Sequence, residues 1–386
     1  MLRRTDRNPL AEWWWTVDRL LIGLVIALMF IGLVLSFAAS PAIADRHGLP
    51  SFHFAIRQAV FMAPALAIII LTSLMSSDRI RRIAFITFGI MLVLTALTLF
   101  AGFEAKGAKR WLYIGSMSIQ PSEFLKPAFV VLSAWLFAEG VKRPDMPGTL
   151  LACGLILPVV GILILQPDFG QTMLITIVWG ALFFMAGMSW IWIVVFGGLG
   201  AGGIVAAYLT VSHVRNRIDG FLNPEATDTY QTDRAVESFL NGGWFGQGPG
   251  EGVIKNILPD SHTDFIFAVA GEEFGVIFCL AIVAVYAALV VRGLAQAYRE
   301  EDLFRRLAVA GLSILIGLQA TINMAVNLSL MPAKGMTLPF ISYGGSSLIS
   351  MAFAMGMVLG LTRRRPQAIA LRSAPRGALL AEEPAE

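Results

Sequence analysis

Residues 20–38 read LLIGLVIALMFIGLVLSFA, an apolar run with no charged side chain. A bilayer core of about 30 Å is crossed by roughly 20 apolar residues of helix, so a run of this length spans a membrane. Arg3, Arg4 and Arg7 precede it and the small residues Ala42-Ile43-Ala44 follow, the flanks of a secretory signal. A signal's apolar region has only about 7 to 15 residues, so the run reads as an uncleaved first helix. Working outward, spans fall at residues 17–38, 54–76, 83–101, 121–139, 149–166, 170–187, 189–210, 265–291, 307–329 and 344–362.

Composition agrees: of 386 residues, 56% are hydrophobic and 14% charged, where soluble domains carry about a quarter charged. The expectation is an all-α, polytopic integral membrane protein of about ten transmembrane helices with both termini on one side. A cytoplasmic N-terminus places 18 of the 29 Lys and Arg residues in inside segments, as the positive-inside bias requires. Residues 1–16 then form a cytoplasmic segment, 17–365 the membrane domain and 366–386 a polar tail too poor in apolar residues to order itself. The net charge of +3 points to no nucleic-acid partner. Cys153 and Cys279 lie inside apolar spans without a second ligand at metal spacing, so both read as packing residues and no protein metal site is expected. The Trp13-Trp14-Trp15 run before the first span reads as an interfacial anchor.

Two outward segments break the charge bias. Residues 102–120 keep Lys106, Lys109 and Arg110 outside, and the long loop 211–263 between the seventh and eighth spans keeps Arg215, Arg217, Arg234 and Lys255 there. Some demand other than topology holds them.

Four constellations can carry chemistry. In the first, Lys109-Arg110-Trp111 suits a pyrophosphate or sugar at the interface, because Arg grips phosphate oxygens bidentately and indole faces sugars; interfacial anchoring explains it equally well. Close behind, Glu123 and Lys126 stand three apart at a helix start and can pair. In the second, Gln166-Pro167-Asp168-Phe169-Gly170, Asp168 is either functional or a helix cap. In the third, residues 258–267 (LPDSHTDFIF) set His262 and Asp264 where the outer loop enters a helix. Desolvation at that depth raises a carboxylate's pKa toward that of a useful base, and an N-cap is the plainer reading. Glu272, eight residues on, would lie about 12 Å deeper in a regular helix, too far for a carboxylate pair. In the fourth, residues 332–347 (PAKGMTLPFISYGGSS) hold two prolines and a glycine pair. They form a re-entrant or cavity-lining turn, with Ser342 and Tyr343 facing a ligand or packing as a hairpin.

In this order, GAKRW, QPSEFLKP, QPDFG, LPDSHTDFIFA and PFISYGGSS resemble the SEDS family of shape, elongation, division and sporulation proteins across essentially the whole membrane region. Gly271-Glu272-Glu273 and residues 334–339 (KGMTLP) resemble its division branch. The resemblance implies an inverting peptidoglycan glycosyltransferase of the bacterial inner membrane, at the division septum, that joins lipid II units beside a class B penicillin-binding transpeptidase and other divisome membrane proteins. Asp264 matches the family's essential aspartate, the base for the acceptor hydroxyl. Lys109, Arg110, Arg215 and Arg217 would bind the leaving undecaprenyl pyrophosphate, with room for a divalent cation, Mg2+ or Mn2+, and Trp111 would line the same cavity. A lipid II flippase and a non-catalytic divisome scaffold are the alternatives. A flippase needs charges through the membrane centre, and the ionisable residues here cluster at the outer ends of helices.

Overall fold

The computed structural model describes residues 9–105, 108–115, 117–143, 145–210, 215, 219, 230–332 and 335–363. Its helices are α1 (Pro9–Thr16), α2 (Arg19–Arg46), α3 (His53–Ser73), α4 (Ser77–Ala101), α5 (Pro121–Lys142), α6 (Gly148–Leu165), α7 (Phe169–Met185), α8 (Trp190–Thr210), α9 (Tyr230–Gly242), α10 (Ile266–Arg299), α11 (Leu303–Asn327) and α12 (Gly345–Thr362). Each of the ten expected spans falls on a helix. Among the described residues nine helices are long and apolar enough to cross a membrane, and the tenth span is the 17-residue α7.

Local chemistry sets the helix starts. Asp302 caps α11 by accepting from Arg305 N at 3.0 Å, Asp18 caps α2 from Leu20 and Leu21 N at 3.0 and 3.2 Å, and Pro121 opens α5 where its missing N–H is harmless.

All the spanning helices are apolar, so burial distinguishes their places. In α12, 89% of the spanning window is buried, against 72% in α5 and α11 and none in α8. The first three form the centre; α2, α3, α4, α6, α7 and α10 surround it, and α8 turns its apolar surface outward. Close approach depends on small residues: a Cβ at Gly356 of α12 would run into Thr72 of α3.

The structure adds four features. Residues 102–120 hold a small antiparallel meander, β1 (Phe103–Ala105), β2 (Ala108–Ile114) and β3 (Met117–Ile119), in the order β1-β2-β3. Trp111 pairs with Phe103, and Leu112 with Ile119. The tryptophan run is divided: Trp13 is buried and donates to Ser73 Oγ at 2.7 Å, whereas Trp14 and Trp15 are exposed under the Arg19 guanidinium. Cys153 is half-buried and Cys279 buried, both free thiols.

The eighth span is not one regular helix. α10 breaks at Gly275 (φ 81°, ψ 176°), where a Cβ would collide with the backbone of Trp244 and Gly246. A break leaves carbonyls and amides without helical partners, and unsatisfied backbone is not tolerated at such depth. The outer loop supplies them: Gln247 N and Gly248 N donate to the carbonyls of Glu272 and Glu273, while Val276 N and Ile277 N donate to Gly243 and Trp244.

Finally, much of the outer loop is folded. α9 packs on α10, and a 3₁₀ turn, Ile254–Asn256, follows. The buried Glu272 carboxylate gathers four donors: Val253 N, Ile254 N and Lys255 N at 2.8, 2.7 and 3.0 Å, and Asn241 Nδ2 at 3.0 Å. Lys255 pairs with Glu273.

Candidate active site

A cavity of about 390 Å³ opens at the end of the bundle where α5, α10 and α12 begin and α11 ends. Arg110 and Trp111 reach it from β2, Gln120 and Glu123 from the start of α5, Gln231 from α9, and Asp260, Thr263 and Asp264 from the segment entering α10. Asn323 of α11, Gly335, Met336, Thr337 and Tyr343 of the irregular segment, and Ser347 of α12 complete the wall. Residues 335–337, 343, 344 and 347 thus line this cavity, one of the two readings that the prolines and glycines of the segment allowed.

Asp264 is half-buried and held through its backbone. Asn323 Nδ2 and Asn327 Nδ2 donate to its carbonyl at 2.8 and 2.9 Å. Asn323 also binds Met336 O at 2.6 Å, and Asn327 Oδ1 accepts from Ala268 N at 3.0 Å. One residue earlier, Ser342 Oγ donates to Thr263 O at 2.5 Å and accepts from Leu338 N at 2.7 Å. These bonds fix the main chain and leave the Asp264 carboxylate at the cavity wall. The N-cap of α10 falls on Phe265, without a side-chain cap bond, so Asp264 stands just outside the helix.

Glu123 and Lys126 pair as their spacing implies. Lys126 Nζ lies 3.0 Å from both carboxylate oxygens and 2.8 Å from Gln319 Oε1, and Gln171 Nε2 donates to Glu123 at 2.9 Å. Pairing and amide donors keep this charge tolerable at depth. The chain of bonds runs on through Gln319 Nε2 to Thr337 O at 3.1 Å, and Thr337 Oγ1 meets Ser347 Oγ at 2.6 Å. Lys126 itself is fully buried beneath the cavity.

Asp168 serves as a helix cap, one of its two readings, and also forms an ion pair. It caps α7 by accepting from Gln171 N at 3.3 Å, and it pairs with Arg110 at 3.4 Å. Burial pushes its carboxyl above the ordinary value, and Arg110 partly opposes this. Arg110 Nη2 also binds Pro167 O at 2.9 Å, so the turn at 166–168 aims this guanidinium.

His262 lies beside the cavity, its ring 4.7 Å from Phe54 and 5.4 Å from Tyr343, and its carbonyl accepts from Tyr343 N at 3.0 Å. Burial raises the Tyr343 phenol, with Arg57 pulling the other way, so it remains a donor at neutral pH. Lys109 is exposed on β2, next to the wall. Arg215 is exposed and donates to Tyr208 O and Leu209 O at 3.2 and 2.7 Å, away from the cavity wall. Arg217 lies outside the described residues.

Comparison with known proteins places this geometry. The cell cycle protein family FtsW/RodA/SpoVE matches residues 18–367. The chain belongs to this family. Among its relatives, the probable peptidoglycan glycosyltransferase FtsW of Caulobacter vibrioides is 49% identical over 367 residues, covering 95% of this chain and 94% of that one. The corresponding protein of Legionella pneumophila is 35% identical over 369 residues, covering 92% and 93%. Among solved structures, a chain from a peptidoglycan synthase complex that coordinates polymerization and crosslinking superposes with a TM-score of 0.73 at 28% identity, covering 90% and 97%. The rod shape determining protein RodA of Thermus thermophilus does so at 0.68 and 30% identity, covering 91% and 99%. The division-branch resemblance is borne out, and the chain is a multi-pass membrane glycosyltransferase of the FtsW/RodA/SpoVE family.

Asn323 and Asn327 escaped the sequence reading, and Thr337 entered it only as part of residues 332–347. Two asparagines four residues apart in an apolar helix share a face and need partners, which was the available signal. Among the described residues no three His, Cys, Asp or Glu side chains gather to hold a divalent cation.

Proposed function

We propose that this glycosyltransferase polymerises lipid II into glycan strands on the outer face of the bacterial inner membrane, at the division septum. The observation that carries the reading is the Asp264 carboxylate on a cavity wall shared with Arg110 and Trp111, its main chain held by Asn323, Asn327 and, through Thr263, Ser342.

The acceptor sugar hydroxyl gives its proton to Asp264 as its oxygen attacks the donor's anomeric carbon. The bond from that carbon to the pyrophosphate breaks on the opposite face, inverting the centre. Undecaprenyl pyrophosphate leaves with the electron pair and needs no proton, and Arg110 with neighbouring Lys109 offsets its charge. Arg215, tied to α8, is placed for an approaching headgroup rather than the reacting one. A class B penicillin-binding transpeptidase crosslinks the product, in keeping with the synthase complex that the fold resembles.

The test supplies lipid II to the purified protein with its cognate transpeptidase and follows strand formation by the native chain and Asp264→Asn. Loss of polymer with folding and complex intact supports the mechanism. Equal polymerisation by both overturns the role of Asp264; no polymer from either turns attention to flipping or scaffolding.

A further inference from the structure

At the opposite end of the bundle a second groove, of about 540 Å³, runs between the first turns of α4 and the last turns of α5. Its polar lining is Arg81, Arg82, Arg143 and Glu139. Arg143 Nε stands 3.3 Å from Glu139, and Arg81 Nη2 stands 3.3 Å from Asp78, an acid 71% exposed outside the groove. No described acid pairs with Arg82. Three cations against one carboxylate leave the groove positive.

The rest of the lining is apolar: Phe85, Ile86, Leu132 and Met146. Phe85 and Ile86 are 62% and 57% exposed on a spanning helix, where a lipid chain would cover them. Trp135 also lines the groove under the Arg81 guanidinium, 5.5 Å from its ring. Its Nε1 is buried and among the described residues has no hydrogen-bond partner, although a buried indole N–H ordinarily finds one.

We propose that this groove binds one anionic phospholipid of the leaflet on its own side, the phosphate held by Arg82, Arg143 and the Trp135 N–H, and an acyl chain lying over Phe85 and Ile86. The charge bias assigns that side to the cytoplasm. Basic pockets between spanning helices at that level suit anionic headgroups. A free phosphate would use the arginines and gain nothing from the apolar floor. Glu123 and Glu139 stand sixteen residues apart on α5, about 24 Å along its axis, so the groove is separate from the catalytic cavity.

Native mass spectrometry tests this on the purified full chain, released from micelles doped with dioleoyl phosphatidylglycerol or zwitterionic dioleoyl phosphatidylcholine. The native protein retains one phosphatidylglycerol at low doping and no phosphatidylcholine. Arg82→Gln with Arg143→Gln weakens retention about thirtyfold, Trp135→Phe about tenfold, and Arg299→Gln, an exposed arginine outside the groove, leaves it unchanged. Should the double variant melt unlike the native protein, Trp135→Phe decides alone. Equal retention by all variants, or of both lipids, overturns the proposal. Inorganic phosphate binding as tightly as the lipid makes this a free-anion site, and displacement of the lipid by a peptide of residues 366–386 makes the chain's own tail the occupant; either result also overturns it.

Discussion

Asp264 and Glu272 lie eight residues apart on one stretch of chain and are held in different ways. Glu272 is fully buried and its carboxylate is occupied by three amides and an asparagine of the folded outer loop. Asp264 is held by its main chain, and its carboxylate meets a cavity. A carboxylate that satisfies buried amides builds structure, whereas one positioned from behind can exchange a proton.

The sharpest way to break this contrast is Asp264→Asn, which should lower polymerisation by at least about 100-fold with no change in melting temperature. Glu272→Gln should reverse the pattern. Weakening a charged acceptor of buried amides costs about 2 to 3 kcal/mol, read as a lower melting temperature and early proteolytic cleavage within residues 243–258. If Glu272→Gln melts like the native chain, the loop is held by other means. Between the two stand the asparagines: Asn323→Leu should shift the Asp264 main chain and reduce polymerisation about tenfold to 100-fold, chiefly in kcat, while folding is retained.

The smallest effect lies at the far end, where Asp302 caps α11 and binds Lys142 of α5 at 2.8 Å. Burial alone would raise this carboxyl, but the bonds from Lys142 and Arg305 N outweigh it and hold it below the ordinary value. A lowered folded-state pKa stabilises above the unfolded carboxylate value, about 4, and that contribution fades as pH falls through the folded value. Asp302→Ala should therefore cost about 1 kcal/mol near neutrality, and the gap in melting temperature from the native chain should close in acid.

The spans were legible because a run such as residues 20–38 has no other stable home. The pairing of Glu123 with Lys126 and the irregularity of residues 332–347 followed from spacing and from proline. The break at Gly275 was not legible, since an isolated glycine in a helical pattern is tolerated and only the loop packed against it gives the reason. Helix α9 does carry a helical period, Ala235, Val236, Phe239 and Leu240, but it is short and polar overall, so a pattern built on membrane-spanning runs passes it over. Arg110 was found as a cation, but its pairing with Asp168 joins residues 58 positions apart, which spacing cannot reveal.

The order in which the chain emerges from the ribosome has a bearing on its most buried helix. α12, with 89% of its window enclosed, emerges after the other eleven described helices, and α3 and α5 wait for it with their packing faces open to lipid. A nascent chain halted before residue 345 holds every earlier span and yet lacks the most enclosed of its three central helices, so a cell that monitors unfinished membrane proteins has until the insertion of α12 to recognise this one.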